Sequence, residues 1–214
     1  MKRICVLGGT GYAGGAIARE AAGRGHEVVV FSRKPPAELP PGAKSVTGSA
    51  LVRADIARAA SGADVIVVAL APTGDLETSF VAVNADIADV ARILGARLGV
   101  VGGAGSLLTE PGGTKVYETE EFPARFKAFA QASDDVLHEL RASDPELDWF
   151  VLSPPTGFGH YAPGTATGRF RLGGDVMLKG NDGRAEISGA DYAQAFVDEI
   201  ERPAHRRARF TVAY

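Results

Sequence analysis

A run of closely spaced glycines lies near the start of the 214-residue chain. Gly8, Gly11 and Gly14 follow a short apolar run, Ile4–Leu7, and precede a segment in which alanine and isoleucine recur every four residues, as in a helix. Glycines in this context let the backbone N–H groups at the start of a helix approach a pyrophosphate, which a Cβ would obstruct. The spacing therefore predicts a dinucleotide-binding turn between the first strand and the first helix.

The end of the second apolar run, Val28–Phe31, carries the residues that would distinguish two dinucleotides. In folds that prefer NADH, an acidic side chain near this place binds the ribose 2′-hydroxyl. This chain has Ser32, Arg33 and Lys34 there, and its next acid is Glu38. A guanidinium can bind a 2′-phosphate through two hydrogen bonds, whereas a carboxylate would repel it. The sequence predicts NADPH, with NADH as a second option; a solvated Arg–Lys pair at a strand exit is the alternative interpretation.

The tyrosines limit the chemistry that such a cofactor could perform. Ordinary short-chain dehydrogenases protonate a carbonyl oxygen with a tyrosine whose pKa is lowered by a lysine four residues later. None of the five tyrosines of this chain is followed by lysine at that spacing. This counts against alcohol and ketone oxidoreduction and against sugar epimerisation. It is compatible with hydride transfer to a flavin ring, where solvent can supply the proton and the protein mainly orients two stacked rings.

Two groups of side chains could act on the acceptor itself. Ser106 follows an apolar strand that ends at Val101, and its hydroxyl could hydrogen-bond the acceptor or the nicotinamide amide; a plain turn role is the alternative. His160 could relay a proton near neutral pH. Phe158 and Tyr161 beside it offer aromatic faces for a planar ring, although these loop residues could instead pack against the domain.

Alternating apolar runs and amphipathic stripes position these residues. They predict an α/β fold with a doubly wound, mostly parallel sheet and helices on both faces, as one Rossmann domain over residues 1–214. Trp149 and the phenylalanines at helical spacing, Phe122, Phe126 and Phe129, are interpreted as core. Two connections at the carboxyl ends of the strands, about 102–121 and 153–174, are longer than a connection needs to be. We expect them to form the acceptor pocket.

Composition excludes several classes of protein. A net charge of −3 without basic clusters argues against nucleic acid as a partner, and the glycines interrupt any N-terminal apolar segment that could target or span a membrane. The single cysteine, Cys5, lies in a strand, and no group of residues has metal-ligand spacing, so we expect no metal. A cytoplasmic monomer or homodimer that acts on a small molecule is predicted. The 27 glycines indicate close approach of the backbone to something.

The chain resembles a known family over essentially its whole length. It is similar to the atypical short-chain dehydrogenase/reductase proteins of the NAD(P)H-binding, NmrA-like type, in particular to small bacterial NADH-flavin reductases and more distantly to biliverdin reductase B. The resemblance rests on Gly8–Gly14, on Phe31–Arg33, on Val100–Leu107, on Leu147–Pro154 and on the C-terminal stretch from Ile187 to Tyr214.

The resemblance implies roles for particular residues. Members of this group bind NAD(P)H and are thought to pass hydride to a flavin, FMN or FAD, or to a similar planar acceptor that is a substrate. The residues that would contact the cofactor here are Gly8, Thr10, Gly11 and Tyr12 at the pyrophosphate, Arg33 at the 2′-phosphate, Leu70, Ala71 and Pro72 at the adenosine, and Gly103–Ser106 with Pro154 at the nicotinamide.

Two other functions are compatible with the same cofactor site. The first is a non-catalytic NADP-binding regulator or redox sensor of the NmrA type. The second is an epimerase-like or isomerase-like enzyme, which the missing Tyr–Lys pair disfavours.

Overall fold

A single eight-stranded sheet forms the centre of the computed structural model, which describes residues 1–214. Its order is β3-β2-β1-β4-β5-β6-β8-β7, and every neighbouring pair is parallel except β7 and β8. The strands are β1 (Arg3–Leu7), β2 (Glu27–Ser32), β3 (Lys44–Thr47), β4 (Val65–Val68), β5 (Arg97–Val101), β6 (Trp149–Ser153), β7 (Arg171–Gly173) and β8 (Ala208–Ala213).

Five α-helices cover the two faces of this sheet. They are α1 (Tyr12–Gly23), α2 (Arg53–Ala59), α3 (Phe80–Leu94), α4 (Lys127–Ala142) and α5 (Gly189–Glu201). Alternate residues of β1 divide between two cores: Cys5 and Leu7 pack with α2, α3 and α4, whereas Ile4 and Val6 pack with α1 and α5. Both faces of the central strands are therefore buried, which explains why their sequences are continuous apolar runs. The predicted doubly wound α/β fold is confirmed.

The order of the strands reverses between β1 and β4. The chain moves outward from β1 to β2 and β3 on one side, then returns to β4 and continues outward through β5 and β6 on the other. In open α/β sheets the crevice beyond the carboxyl ends of the strands at such a switch point is where ligands bind. The glycine turn after β1 lies at this point.

The structure corrects the sequence prediction in two places. The segment 153–174 contains the short antiparallel strand β7, whose sequence has no apolar run that would predict a strand. Helix α4 begins only at Lys127, so Phe122 lies in the preceding loop, and Phe126 and Phe129 are 43% and 37% exposed. The interpretation of these two phenylalanines as core is wrong, because the first residues of α4 lie in solvent. Trp149 is fully buried, as predicted.

Candidate cofactor and acceptor site

The glycine turn connects the end of β1 to the start of α1, with no room for a side chain at Gly8 or Gly14. Gly8 has a φ of +83°, and a Cβ there would lie 2.5 Å from the Ala69 carbonyl oxygen. A Cβ on Gly14 would lie 2.3 Å from the Gly8 carbonyl oxygen. Glycine at these two positions therefore allows the turn to pack against the chain after β4 and the helix to pack against the turn.

Gly11 differs from Gly8 and Gly14 because there is nearly enough space around it for a Cβ. A Cβ there would meet only the Gly8 carbonyl oxygen, at 3.3 Å. Gly11 is the exposed N-cap residue of α1, and no side chain caps the helix or places an acid in its first turn. The first amides of a helix have no partner within the helix, and they carry its positive dipole end. The turn therefore fits the pyrophosphate of a dinucleotide, which these amides, including that of Tyr12, would hold.

The end of β2 presents charge beside this turn. Ser32 is buried, and its hydroxyl donates a hydrogen bond to the Lys34 carbonyl oxygen at 2.7 Å. Lys34 and Arg33 are exposed. The Arg33 guanidinium donates to Asp75 Oδ2 at 3.1 Å, from a position 42 residues away in the sequence. Ser32 thus shapes the strand exit, and the two cations remain available to an anionic group.

The segment after β4 borders the turn from the other side. The Ala69 carbonyl oxygen lies 2.5 Å from the position that a Cβ on Gly8 would take, and the Leu70 side chain lies 3.3 Å from that position. Leu70 and Ala71 are partly exposed, whereas Pro72 is buried. The structure therefore brings this segment to the glycine turn; its contact with adenosine stays a prediction.

The turn after β5 is held against α4. A Cβ on Gly103 would lie 3.3 Å from Ser133 Cβ, and one on Gly105 would lie 2.6 Å from Ala130 Cβ. Ser106 is 4% exposed, and Arg209 Nη1 donates to both its carbonyl oxygen and its Oγ at 3.0 Å. The Ser106 Oγ therefore accepts from Arg209, and it donates to the Gly103 carbonyl oxygen at 3.4 Å. This arrangement gives Ser106 a structural role in the turn, and its contact with an acceptor stays a prediction.

Arg209 also joins the two long connections. Its Nε donates to Asp175 Oδ1 at 2.6 Å, while its Nη1 holds Ser106. The backbone of Leu108 pairs across the same gap: its N–H donates to the Asp175 carbonyl at 2.8 Å, and its carbonyl accepts from Met177 N–H at 2.9 Å. The loops that were predicted to form a pocket are therefore physically connected near their bases.

The end of β6 carries an unsatisfied hydroxyl. Ser153 Oγ is buried and has no hydrogen-bond partner, and a Cβ on Gly102 would lie 2.7 Å from it. Of the five buried side-chain atoms without a partner, it is the one at the carboxyl edge of the sheet. Buried hydroxyls are normally hydrogen-bonded. This hydroxyl is fully enclosed, beside the buried Pro154, at the edge where the nicotinamide end of a cofactor is expected; its contact with the cofactor stays a prediction.

Aromatic side chains link the glycine turn to the second long loop. The Tyr12 ring makes edge contacts with Phe158, at 5.1 Å between centroids, and with His160, at 5.0 Å. Its hydroxyl donates to the Pro163 carbonyl at 3.1 Å. His160 is exposed at the loop surface, and Tyr161, 75% exposed, bends back to donate to the Thr156 carbonyl. Tyr12 therefore contributes its backbone to the turn and its ring to the loop.

A lysine and a tyrosine do meet in the first long loop, but with a carboxylate between them. Lys115 Nζ and the Tyr117 hydroxyl both donate to Oδ2 of buried Asp134 on α4. Burial raises the pKa of the Tyr117 phenol, Lys115 opposes the rise, and Asp134 adds to it. The phenol is therefore a weaker acid than free tyrosine, the opposite of what carbonyl protonation requires.

Several residues of the site could not be found from the sequence. Asp75, Asp134 and Arg209 reach their partners across 42, 19 and 103 residues, and no spacing pattern connects such positions. Ser153, the buried hydroxyl without a partner, could have been found, because it ends an apolar strand at the carboxyl edge of the sheet.

No group of three or more His, Cys, Asp or Glu side chains lies where it could hold a metal ion. None of the α-helices has the length and apolarity needed to cross a membrane.

A doubly wound sheet with a glycine turn at its switch point defines a Rossmann-type nucleotide-binding protein. Residues 8–203 match the family described as NAD(P)H-binding. The chain is also 34% identical over 218 aligned residues to the uncharacterized protein YwnB of Bacillus subtilis, covering 98% of this chain and 97% of that one. The chain belongs to the NAD(P)H-binding family, and the resemblance read from its motifs is confirmed.

Solved structures of similar proteins carry different names. A putative exported protein of Burkholderia pseudomallei is 39% identical with a TM-score of 0.88, and each chain is fully covered. A putative NADH-flavin reductase of Streptococcus pneumoniae is 30% identical with a TM-score of 0.83, covering 100% and 99% of the two chains. A putative epimerase of Bacteroides thetaiotaomicron is 34% identical with a TM-score of 0.89, covering 100% and 97%. The fold is common to all of them, and their names do not agree on an activity.

Proposed function

We propose that the protein is an NADPH-dependent reductase that transfers hydride to a free flavin, FMN or FAD, or to a similar planar acceptor. One observation carries the proposal: the carboxyl edge offers groups for a dinucleotide but no lysine-activated tyrosine. Every phenol instead donates to a carbonyl or a carboxylate. These pairs are Tyr12 with Pro163, Tyr117 with Asp134, Tyr161 with Thr156, Tyr192 with Leu152, and Tyr214 with Thr165 and Asp191.

The residues of the chain would bind and orient rather than take part in covalent chemistry. The first amides of α1 would hold the pyrophosphate, and Arg33 with Lys34 would bind the 2′-phosphate. When bound, the reduced nicotinamide supplies the hydride. Ser153 Oγ would donate to a polar group at the nicotinamide end, and the turn Gly103–Ser106 would border it. His160, at the surface of the loop, would relay a proton between solvent and the acceptor.

The acceptor is proposed to lie between the two long connections, close to Phe158 and His160. A planar acceptor needs orientation against a second ring more than it needs an acid, which suits this edge. The relative named as a putative NADH-flavin reductase supports this acceptor class. A cytoplasmic protein, monomeric or homodimeric, and without nucleic acid or membrane partners remains part of the proposal.

The experiment follows nicotinamide absorbance when the purified protein is mixed with NADPH and excess FMN. Oxidation of NADPH that depends on the protein supports the proposal. Binding of NADPH without oxidation by flavins, quinones or biliverdin would contradict it and would indicate a cofactor-binding regulator. Interconversion of a substrate without net consumption of NADPH would indicate an epimerase, as the name of the Bacteroides relative suggests.

The cofactor preference is tested separately with Arg33→Ala. Loss of hydrogen bonds to a charged group costs about 1.5–3 kcal/mol, so NADPH should bind about ten- to a hundredfold more weakly. NADH lacks the phosphate, and its affinity should stay within about twofold, far below the tenfold that 1.4 kcal/mol represents. Arg202→Ala, which removes an exposed arginine at the end of α5, is the control. Equal losses for both cofactors would show that Arg33 does not bind the phosphate.

A further inference from the structure

Arg33 has an acidic neighbour, Asp75, that comes from a different segment of the chain. Its Nη1 lies 3.1 Å from Asp75 Oδ2. Asp75 belongs to the short 3-10 turn Gly74–Leu76, which continues the chain after β4 past Pro72. The β4 segment and the end of β2 flank the glycine turn on its two sides. A carboxylate therefore stands beside Arg33 at the place where the 2′ position of the ribose is expected.

This ion pair is weak enough to exchange. The side chains of Arg33 and Asp75 are 73% and 68% exposed, and an exposed pair of this kind contributes little to stability. A phosphate dianion offers the guanidinium a stronger partner through two parallel hydrogen bonds. The Arg33 side chain can therefore leave Asp75 for a phosphate without disturbing the fold.

We propose that Asp75 is a specificity-determining residue that competes with the 2′-phosphate of NADPH for Arg33. The inference rests on the proposed function, because it takes Arg33 as the phosphate-binding residue. With NADH the pair of Arg33 and Asp75 stays intact. With NADPH it must break, and the freed carboxylate then lies close to the phosphate. Asp75 therefore lowers the ratio of NADPH affinity to NADH affinity, so that the protein can also use NADH.

The exposure of Arg33 and Asp75 to water limits how much Asp75 can change cofactor affinity. Charges a few ångströms apart near a protein surface change an equilibrium severalfold, so Asp75→Asn should raise NADPH affinity about three- to tenfold. NADH affinity should change by less than about twofold, because no second negative charge is present at the 2′ position. Since the groups are exposed, the gain should shrink as ionic strength rises.

The experiment measures the affinities of both cofactors by calorimetry on the full-length chain and on three variants. These are Asp75→Asn, Arg33→Ala and the double variant. Glu77→Gln is the matched control, because Glu77 is an exposed acid two residues away that forms no ion pair. Thermal unfolding checks that the variants are folded, which is expected because all the changed side chains are exposed.

Competition predicts that Asp75→Asn raises the ratio of NADPH to NADH affinity, that Glu77→Gln does not, and that the gain vanishes in the Arg33→Ala background. An unchanged ratio in Asp75→Asn, while Arg33→Ala lowers it, would overturn the inference and leave the proposed cofactor preference standing. A gain that persists in full without Arg33 would also overturn it. If Arg33→Ala itself leaves the ratio unchanged, Arg33 does not bind the 2′-phosphate, and the inference about Asp75 fails together with that assignment.

Discussion

Two arginines at opposite ends of the sheet, Arg97 and Arg33, have opposite surroundings. At the amino ends of the strands, Arg97 on β5 is buried, and its guanidinium donates to the carbonyl and carboxylate oxygens of Glu199, both at 2.7 Å. Glu199 is also buried and accepts from His205, whose ring stacks 3.8 Å from Phe210. At the carboxyl ends, Arg33 is exposed and its single acidic contact lies in solvent.

A second network at the amino end shows the same design. Arg24, after α1, donates to Glu20, Asp198 and Glu201. His26 Nδ1 accepts from the Lys2 N–H at 3.1 Å, so its Nε2 carries the proton and donates to Glu201 at 3.0 Å. These groups tie α1 and α5 to the strands. The comparison teaches that these charges at the amino end stabilise the fold, whereas Arg33 at the carboxyl end is left accessible to a ligand. Other charges at the carboxyl end, Arg209 and Asp134, are buried and paired like those at the amino end.

The largest expected effect comes from removing a buried charge at the amino end. Arg97→Met leaves Glu199 without its cation, so unfolding should become easier by about 3–5 kcal/mol, while NADPH affinity stays unchanged. Denaturant titrations and cofactor binding on the same preparation check this. Arg206→Met is the control, since Arg206 pairs with Asp148 from a side chain that is 68% exposed and should lose less than about 1 kcal/mol. Equal losses in the two variants would contradict the prediction.

A smaller effect on stability is expected when alanine replaces glycine near either end of α1, and its sign should differ between the two ends. Gly14→Ala places a methyl group against the Gly8 carbonyl, so we expect a loss of about 1–3 kcal/mol in stability and NADPH binding weakened by about tenfold or more, equivalent to about 1.4 kcal/mol. Gly23, the last residue of α1, has no atom within 4 Å of its Cβ direction. Gly23→Ala should therefore stabilise by about 0.5–1 kcal/mol. Thermal unfolding and NADPH titration of both variants test the contrast, and similar behaviour would refute it.

The smallest expected effect is a pH dependence at the amino end. Burial opposes ionisation of Glu199, but hydrogen bonds from Arg97 and His205 outweigh it and hold the pKa of this carboxyl below 4.5. A carboxyl with a lowered pKa in the folded state stabilises the fold above pH 4.5, and this contribution is lost as pH falls through the folded-state pKa. The free energy of unfolding should therefore fall with decreasing pH below about 4.5.

Glu199→Gln isolates this pH dependence. Its free energy of unfolding, measured by denaturant titration between about pH 3 and 6, should fall less steeply with acid than that of the unchanged protein. Glu77→Gln, which alters an exposed acid, should leave the slope unchanged. A slope in Glu199→Gln equal to that of the unchanged protein would show that Glu199 does not contribute.

Local patterns in the sequence predict much of the fold and part of the site. The central strands are apolar runs because both faces of the sheet are covered there, and the glycine turn is visible because steric demands act between neighbours in sequence. The contact of Arg33 with Asp75 depends on how two loops from different strands meet, which no local pattern encodes. The interpretation of Phe126 and Phe129 as core is wrong because they continue the spacing of the apolar face of α4 beyond the part of the helix that is buried.

The short strand β7 has a consequence for how the molecule behaves among copies of itself. Without it, six residues of β8, Ala208–Ala213, would form the open edge of the sheet, and such an edge can pair with other chains. β7 replaces this edge with only three residues, and Arg171 is fixed across it by hydrogen bonds to the Lys179 and Tyr214 carbonyls. At the opposite border, β3 is four residues long and carries an exposed lysine, Lys44. Both borders of the sheet are therefore too short and too charged to recruit a foreign strand, which protects the folded protein against edge-to-edge aggregation.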